Sequence, residues 1–395
     1  MMKKIIVKIL GILVVWTLFL PSTSACAYEE KTSWKELASM PTSKFSFQSE
    51  VIDGKIYTTG GCWNSDYTKN LALTEAYDPS TNTWANLASM PARWEFETEV
   101  LDGKLYVIGG TKMDTWELIS STDVYDPSTN TWTTLTSMPI ALAEVDGFQT
   151  EVVNGKIYVF GVIPDGTCTS VTEVYNPTTD TWAILAPMLT PREGCQTEVI
   201  DGKIYVIGGY RGLLKIGGAS NVDSLSSAEV YDPSTDKWTT LASMSETRCY
   251  LQTEVIDGKI YALGGWNVKV GDITGKVLSS TEVYDPSTNR WTTLADMSTP
   301  RQIFQTEVID DKIYAVGGYG PFYTDNQLLS PLDYDNRLSS TEVYDPSTNK
   351  WTTLENMSKK RSCLHTEVID KVIYAIGGAN STYLESYAVP TSATK

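Results

Sequence analysis

Alternating apolar and polar positions recur along the chain in a block that is clearest between Gln252 and Leu294. Thr-Glu-Val-Ile and Lys-Ile-Tyr-Ala-Leu are two β-rich runs joined by Asp257-Gly258, and this step predicts a hairpin because glycine accepts positive φ. Glu-Val-Tyr-Asp and Trp-Thr-Thr-Leu are two further runs, and the Pro-Ser-Thr-Asn between them suits a type I turn. Each block therefore predicts four antiparallel strands, A to D.

Tryptophan on strand D counts the copies of this block. Seven such residues lie 48 to 60 residues apart, at Trp34, Trp84, Trp132, Trp182, Trp238, Trp291 and Trp351. Six diglycines follow strand B with the same period, at Gly60-Gly61, Gly109-Gly110, Gly208-Gly209, Gly264-Gly265, Gly317-Gly318 and Gly377-Gly378. The third copy alone departs, with Gly161-Val162. A period near 50 residues predicts a propeller in which each copy is one blade.

The two ends of the repeat region complement each other. Trp34 to Met40 reads as a strand D with no strand before it, whereas residues 362–388 supply strands A, B and C without a tryptophan. We therefore expect the N-terminal strand to complete the last blade, which closes the ring and removes exposed sheet edges.

The combination of diglycine, Tyr-Asp-Pro and spaced tryptophan over residues 33–389 resembles the kelch-repeat superfamily of β-propellers. The resemblance implies an all-β, seven-bladed propeller with four antiparallel strands per blade. It says little about function, because proteins of this superfamily serve as protein-binding platforms, as sugar-binding or sugar-converting proteins, and as copper oxidases.

The N-terminus has the features of an export signal. Met1 to Lys4 is cationic, Ile5 to Leu20 is apolar apart from Lys8, and Ala25-Cys26-Ala27 fits a cleavage site. We therefore predict a signal peptide over residues 1–27, a propeller over residues 28–395 and a secreted, extracellular protein. The alternative is a cell-surface lipoprotein, since Thr23 to Cys26 resembles a bacterial lipobox with Cys26 as the lipidated residue.

Charge and cysteine content narrow the classes of partner. The chain carries 31 basic and 48 acidic residues, for a net charge of −17, which argues against a nucleic acid or an anionic membrane as the partner. After the signal no apolar span is long enough to cross a bilayer. The remaining cysteines fit no zinc or CxxC pattern, and a disulfide such as Cys168 with Cys195 stays open. No cofactor or metal is predicted.

Residues present in every copy are interpreted first as scaffold, because a binding site usually breaks internal symmetry. By this test the repeated Tyr and Trp pack between blades and the diglycines allow close approach of backbones. Strand A also carries a glutamate in every copy, and seven carboxylates near one axis must be paired, hydrogen-bonded or bound to a cation. We favour hydrogen bonds to neighbouring strands. These residues are Glu50, Glu99, Glu151, Glu198, Glu254, Glu307 and Glu367.

Variation in loop length points to one face. The B–C and D–A connections share a side of the predicted propeller, and they carry all the length variation together with the four tryptophans outside both the repeat and the signal, Trp63, Trp94, Trp116 and Trp266. Loops on a rigid scaffold commonly carry function.

A basic residue stands six positions before the strand-A glutamate in every copy except the third, which has Val145. Such residues either anchor loops to backbone carbonyls or form a cationic collar that binds a carboxylate-bearing ligand. With nearby aromatic residues they make up the candidate ligand site, which consists of Lys44, Arg93, Arg192, Arg248, Arg301, Arg361, Trp63, Trp94, Tyr210, Tyr250, Trp266 and Tyr319.

Catalytic signatures are absent from the sequence, and no catalytic residue is predicted. The single histidine, His365, occupies a position held by Gln or Glu in other copies, whereas kelch-type copper oxidases need two histidine ligands. We therefore expect a non-catalytic binding module for a glycan or a peptide or protein partner. Two alternatives remain: an enzyme resembling kelch-type sialic-acid epimerases or mutarotases, and a structural component of a cell envelope or matrix.

Overall fold

Backbone pairing follows the sequence repeat. The structure is a computed structural model, and it describes residues 32–44, 46–62, 71–112, 114–142, 148–163, 169–213, 221–271, 275–321, 323–324, 327–328, 336–378 and 381–390. Seven antiparallel four-stranded sheets make up this part of the chain, and they confirm the predicted seven-bladed, all-β propeller. The predicted signal, residues 1–27, lies outside the described residues.

Each blade runs from an inner strand A to an outer strand D. Blade 1 comprises β2 (Gln48–Ile52), β3 (Lys55–Thr59), β4 (Thr74–Asp78) and β5 (Thr83–Asn86). Blade 2 comprises β6 (Glu97–Leu101), β7 (Lys104–Ile108), β10 (Thr122–Asp126) and β11 (Thr131–Thr134). Blade 3 comprises β12 (Phe148–Val153), β13 (Lys156–Ile163), β14 (Thr169–Asn176) and β15 (Thr181–Ile184). Blade 4 comprises β16 (Gln196–Ile200), β17 (Lys203–Ile207), β20 (Ala228–Asp232) and β21 (Lys237–Thr240).

The remaining blades have the same strand order. Blade 5 comprises β22 (Gln252–Ile256), β23 (Lys259–Leu263), β26 (Thr281–Asp285) and β27 (Arg290–Thr293). Blade 6 comprises β28 (Gln305–Ile309), β29 (Lys312–Val316), β32 (Thr341–Asp345) and β33 (Lys350–Thr353). Blade 7 comprises β34 (Leu364–Ile369), β35 (Val372–Gly377), β36 (Leu384–Ala388) and β1 (Lys35–Glu36).

Four B–C connections form additional small hairpins, which the sequence pattern did not predict. They pair β8 (Thr111–Lys112) with β9 (Glu117–Leu118), β18 (Tyr210–Leu213) with β19 (Asn221–Ser224), β24 (Trp266–Asn267) with β25 (Lys276–Val277), and β30 (Tyr323–Thr324) with β31 (Gln327–Leu328). Over the described residues, no apolar helix is long enough to span a bilayer.

The N-terminal strand lies in the last sheet. In β1, Lys35 pairs with Ser386 of β36, and the Leu37 amide donates to the Leu384 carbonyl at 2.9 Å. Blades 7 and 1 also share an apolar layer, in which Tyr374 and Ile376 pack with Ile56 and Tyr77. The first and last blades are thus neighbours in the same way as any other pair.

Apolar side chains pack between blades. In the layer between blades 5 and 6, Ile256 and Tyr261 of blade 5 pack with Phe304, Ile313 and Tyr344 of blade 6. The Tyr344 ring also lies 5.2 Å from the ring of Trp351, centroid to centroid. The repeated tyrosines and tryptophans therefore pack between blades, as predicted, and bury a large apolar area in every layer.

The C–D turn of each blade forms hydrogen bonds with the segment that follows strand D of the preceding blade. Asn289 adopts a left-handed φ of 50°, and its side-chain oxygen accepts hydrogen bonds from the Ala242 amide at 2.8 Å and the Tyr284 hydroxyl at 2.9 Å. Trp291 Nε1 then donates to the Ala242 carbonyl at 2.9 Å. Asn and Asp tolerate this backbone conformation, which explains their recurrence before the tryptophan.

The diglycines leave room for the backbone of the next blade to approach closely. Gly264 has a φ of +56°, and a Cβ at this position would lie 2.5 Å from the Arg301 carbonyl oxygen. That same oxygen accepts a hydrogen bond from the Gly265 amide at 2.9 Å. The two glycines thus allow the loop that leads into the next blade to pack against the end of strand B.

Two matched alanine substitutions measure how much this close backbone contact contributes to stability. Gly264→Ala should lower the free energy of unfolding by about 3 kcal/mol, since it combines an unfavourable φ with a backbone clash. Gly258→Ala should cost only about 1 kcal/mol, because Gly258 has a φ of +68° but nothing within 4 Å of its Cβ position. Urea denaturation measures both values, and equal losses would show that only backbone strain matters at Gly264.

Candidate functional site

The two faces of the propeller differ in composition. Strands A and B, and strands C and D, are joined on one face by short polar turns such as Asp257-Gly258. The B–C and D–A connections meet on the opposite face, which we call the variable face, and the four additional hairpins extend from it. Differences between blades are therefore concentrated on one side.

Four of the five large apolar side chains that are exposed in the described residues belong to the variable face, and the fifth, Ile184, lies on the outer strand β15. Trp116 is 65% exposed and lies between the two strands of the β8–β9 hairpin, and Val270 is 55% exposed between β24 and β25. Tyr383 in the B–C connection of blade 7 and Leu189 after β15 are exposed as well. Apolar groups exposed together on one face are typical of interaction surfaces.

The six basic candidates do not form an open collar, and their assignment as ligand contacts needs correction. Every one of them is at most 2% exposed: Lys44, Arg93, Arg192, Arg248, Arg301 and Arg361. Arg248 is representative, because its Nη1 donates to the carbonyls of Gly264 at 2.9 Å and Ser280 at 3.1 Å. These carbonyls lie where strands B and C separate, so the side chain anchors that point.

Each basic residue also pairs with a carboxylate on strand C of its own blade. The pairs are Lys44–Glu75 at 2.9 Å, Arg93–Asp123, Arg192–Glu229 at 2.9 Å, Arg248–Glu282 at 2.8 Å, Arg301–Glu342 at 2.7 Å and Arg361–Glu385. Burial alone would raise the pKa of Glu342, but hydrogen bonds from Ser298 and the charge of Arg301 hold it below its usual value. Strand C carries an acidic residue at the same position in each of these blades, and this repeat in the sequence could have predicted the buried ion pairs.

Blade 3 lacks the basic partner. Val145 replaces it in the sequence and lies outside the described residues. Strands β13 and β14 pair three residues further than the corresponding strands of other blades, from Gly161 with Val171 to Ile163 with Thr169. Glu173 on strand C is fully buried, and its described contact is the Ile140 amide at 3.0 Å. Burial raises the pKa of Glu173 to about 7, partly offset by that hydrogen bond.

The aromatic candidates divide into two groups. Trp94 and Tyr210 are each only 2% exposed, so their assignment as ligand contacts is also corrected. Trp94 instead supports the exposed Trp116, with ring centroids 5.6 Å apart in an edge-on arrangement.

Tyr250, Trp266 and Tyr319 are only partly buried. Tyr250 stacks on Trp266 at 6.4 Å, and Tyr319 has similar exposure. Trp63 lies outside the described residues.

A cavity of about 210 Å³ opens on the propeller axis where strands A begin. In six blades the residue four positions before the strand-A glutamate has a left-handed backbone, with φ of 48° to 57°; the corresponding Gly147 of blade 3 lies outside the described residues. We call these residues the mouth ring: Ser46, Glu95, Gly194, Tyr250, Ile303 and Cys363. Their backbone conformation is shared while their side chains differ, and Ile303 is unusual because β-branched residues rarely adopt positive φ. A ring that keeps one backbone conformation but varies its side chains is expected at a ligand-binding site.

A second ring lies one step further along the axis and consists of Gln48, Glu97, Gln149, Gln196, Gln252, Gln305 and His365. Gln48 Nε2 donates to the Phe96 carbonyl at 2.9 Å, and Gln252 Nε2 donates to the Phe304 carbonyl at 2.8 Å. His365 bonds the Phe47 backbone in the same manner. Burial lowers the pKa of His365 to about 4, so this histidine is neutral at physiological pH and replaces a glutamine.

The third ring is formed by the strand-A glutamates, which face the next blade. Thr98 Oγ1 donates to Glu50 at 2.8 Å, and Ser49 Oγ donates to Glu367 at 2.7 Å across the junction of blades 1 and 7. Burial raises the pKa of Glu50 to about 7, and burial together with Glu151 and Glu50 raises that of Glu99 to about 8. Within the described part of the chain, no group of three or more metal-ligating side chains is placed to hold an ion.

Comparison with known families decides the classification. A family model described as the Attractin/LZTR1 beta-propeller matches residues 56–328, and the Kelch motif model matches residues 304–358. The chain belongs to the Attractin/LZTR1 β-propeller family. This kelch-repeat propeller therefore shares an architecture that commonly binds proteins.

Curated relatives of this kelch-repeat propeller include Kelch-like protein terF of Aspergillus terreus, which is 33% identical over 38% of this chain and 31% of its own length. Kelch-like protein 25 of Xenopus tropicalis is 27% identical over 49% of this chain and 30% of its own. Kelch-like ECH-associated protein 1A of Danio rerio is 39% identical over 27% of this chain and 17% of its own. The chain thus spans about a third or less of these relatives.

Two solved structures share the fold of this kelch-repeat propeller. A fungal alcohol oxidase of the AA5 family, in complex with copper, matches with a TM-score of 0.70 and 18% identity, over 91% of this chain and 76% of that one. YjhT matches with a TM-score of 0.57 and 17% identity, over 81% of this chain and 99% of that one. The oxidase likeness extends to the fold alone, since this sequence holds one histidine in total.

Proposed function

We propose that this kelch-repeat propeller is an exported binding module whose variable face holds a peptide or protein partner. The observation that carries the proposal is the contrast between the faces. One has short, repeated polar turns, whereas the other has four added hairpins, the exposed Trp116 and Val270, and an axial cavity with differing side chains. Exposed aromatic residues around a central cavity are a common composition of binding sites. Export is inferred from the signal-like residues 1–27.

A glycan remains the second candidate ligand for this surface. The stacked rings of Tyr250 and Trp266 and the amides of the second ring are groups that also bind sugars. The enzyme alternative has less support. It requires one carboxyl of raised pKa near an open arginine, whereas the candidate arginines are buried in pairs and the axial raised-pKa carboxyls are repeated around the ring.

Binding should depend on the exposed apolar residues of the variable face. Peptide and glycan arrays probed with the mature protein identify its ligands. The Trp116→Ala and Val270→Ser variants should bind these ligands at least fivefold more weakly. Both side chains are exposed, so thermal stability should change little. Asp102→Asn, in an A–B turn on the opposite face, is the control and should bind normally. Unchanged binding in both variable-face variants would refute the proposal.

A further inference from the structure

The A–B turn of blade 3 differs from the other six in its first residue. It reads Asn154-Gly155, whereas every other blade has an aspartate at the first position of this turn. Asn154-Gly155 is also the one asparagine–glycine step in the whole sequence. The step matters chemically, because the backbone nitrogen that follows an asparagine can attack its side-chain carboxamide. Glycine hinders this attack least, since it has no Cβ.

The conformation of this turn leaves both reacting groups accessible. Asn154 has a φ of 52° and Gly155 a φ of 70°, so both central residues of the two-residue hairpin are left-handed, as in a type I′ turn. A Cβ at Gly155 would have nothing within 4 Å. Asn154 is exposed and lines a cavity of about 520 Å³ between blades 3 and 4, so solvent reaches its carboxamide.

Neither reacting group is held by a hydrogen bond. Among the described residues, the Asn154 side chain and the Gly155 N–H have no hydrogen-bond partner. Strands β12 and β13 pair up to Val153 and Lys156, on either side of the turn. The peptide unit between Asn154 and Gly155 can therefore rotate without breaking the ladder, and glycine accepts φ of either sign during that rotation.

The asparagines of the C–D turns provide the contrast. Asn289 has a similar left-handed φ of 50°, but its Oδ1 accepts hydrogen bonds from the Ala242 amide and the Tyr284 hydroxyl. A backbone amide and a tyrosine hydroxyl hold three further side chains in the same way: Asn82, Asn130 and Asn349. Each of these carboxamides must break two hydrogen bonds before it can turn toward the following backbone nitrogen.

We propose that Asn154 is a site of spontaneous deamidation in the folded protein. The Gly155 nitrogen loses its proton and bonds to Cγ of Asn154, the bond between Cγ and Nδ2 breaks, and the side-chain nitrogen leaves as ammonia. Water then opens the cyclic imide at one of its two carbonyl carbons, which leaves aspartate or isoaspartate at position 154. No group is oxidised or reduced, and water is the only co-reactant.

The reaction adds a negative charge beside a lysine that lacks an ion pair. In five blades the first lysine of strand B pairs with an aspartate on strand C, as Lys203 does with Asp232 at 3.2 Å. Blade 3 has Asn176 at that strand-C position, and Lys156 forms no ion pair with any described residue. The aspartate product gives this turn the Asp-Gly-Lys sequence of four other blades. The turn lies opposite the variable face, so this inference is independent of the proposed function.

Peptide mapping by mass spectrometry follows the reaction while the mature protein is kept in mildly alkaline buffer, because each deamidation raises the mass by about one dalton. The rate at each asparagine is divided by the rate in a synthetic peptide of the same sequence, which removes the accelerating effect of Gly155 itself. The resulting ratio at Asn154 should exceed those at Asn289 and Asn349 by at least tenfold, since these two must break two hydrogen bonds to react.

Two variants complete the test. Gly155→Ala should slow the reaction at Asn154 several-fold and still fold, since nothing lies within 4 Å of the added Cβ, and circular dichroism checks the fold. Asn154→Asp should elute with the aspartate form of the aged protein in ion-exchange chromatography. A ratio at Asn154 no higher than that at Asn289 would overturn the proposal, and so would a rate that folded Gly155→Ala leaves unchanged.

Discussion

Replacing Glu342 by glutamine is expected to lower the free energy of unfolding by about 3–5 kcal/mol, since Arg301 would stay buried without its carboxylate. The Glu342 side chain also accepts the Ser298 amide at 2.7 Å, and glutamine cannot accept both partners equally well. Urea denaturation at neutral pH measures the loss. Removal of one partner from a buried ion pair is among the largest effects of a single substitution.

Glu173→Gln is the matched control, since blade 3 has no basic residue at the corresponding loop position. Glutamine can keep the bond to the Ile140 amide while removing a carboxyl whose pKa burial raises to about 7. At pH 8 this substitution should therefore be neutral or stabilise the protein by about 1 kcal/mol. Equal destabilisation by the two substitutions would contradict the anchoring role assigned to the buried pairs.

The second large expected effect is a loss of stability as pH rises from about 5 to about 8.5. Burial raises the pKa of the strand-A glutamates, to about 7 for Glu307 and about 8 for Glu99. Between the ordinary glutamate value and these raised values, the folded state binds more protons than the unfolded state. Stability is therefore greatest below this window and falls through it. Chemical denaturation at a series of pH values measures the slope.

Glu99→Gln tests the origin of that slope. The substitution should raise stability at pH 8.5 by about 2–4 kcal/mol and change it little near pH 4.5, where the native carboxyl is already protonated. Glu117→Gln is the control, because it removes an exposed carboxylate from the β8–β9 hairpin. A slope that Glu99→Gln leaves unaltered would place the titrating groups outside the glutamate ring.

The repeat made the architecture predictable, because each strand carries its own local signal. Asp257-Gly258 defines one hairpin, Asn289 the next turn, and Trp291 the outer strand, and these signals point to the same blade. The first turn varies most between copies, with Asp310-Asp311 in blade 6 and Asp370-Lys371 in blade 7. The small hairpins were not predicted, since two-residue strands such as Trp266–Asn267 are too short to show periodicity. The longer ladder of blade 3 follows from Gly161-Val162, yet only the paired backbone reveals it.

The site was less predictable, because sequence reports charge and aromaticity but not burial. Arg93 and Trp94 occupy loop positions that look open, and both are covered in the folded chain. Trp116 lies between the two short strands of the β8–β9 hairpin, which the sequence did not reveal, and its side chain is exposed. The internal repeat did contain a usable signal at the mouth, since Glu97 departs from the glutamine of most other copies.

Amide hydrogen exchange, measured with and without a peptide ligand found on the arrays, tests most directly whether the variable face is the binding surface. We predict slower exchange on binding in two segments, residues 93–97 at the axial mouth and residues 111–118 in the β8–β9 hairpin. The A–B turn at Asp102-Gly103 should exchange at the same rate in both states. Protection confined to the A–B and C–D turns, with none at the mouth or the hairpin, would contradict it.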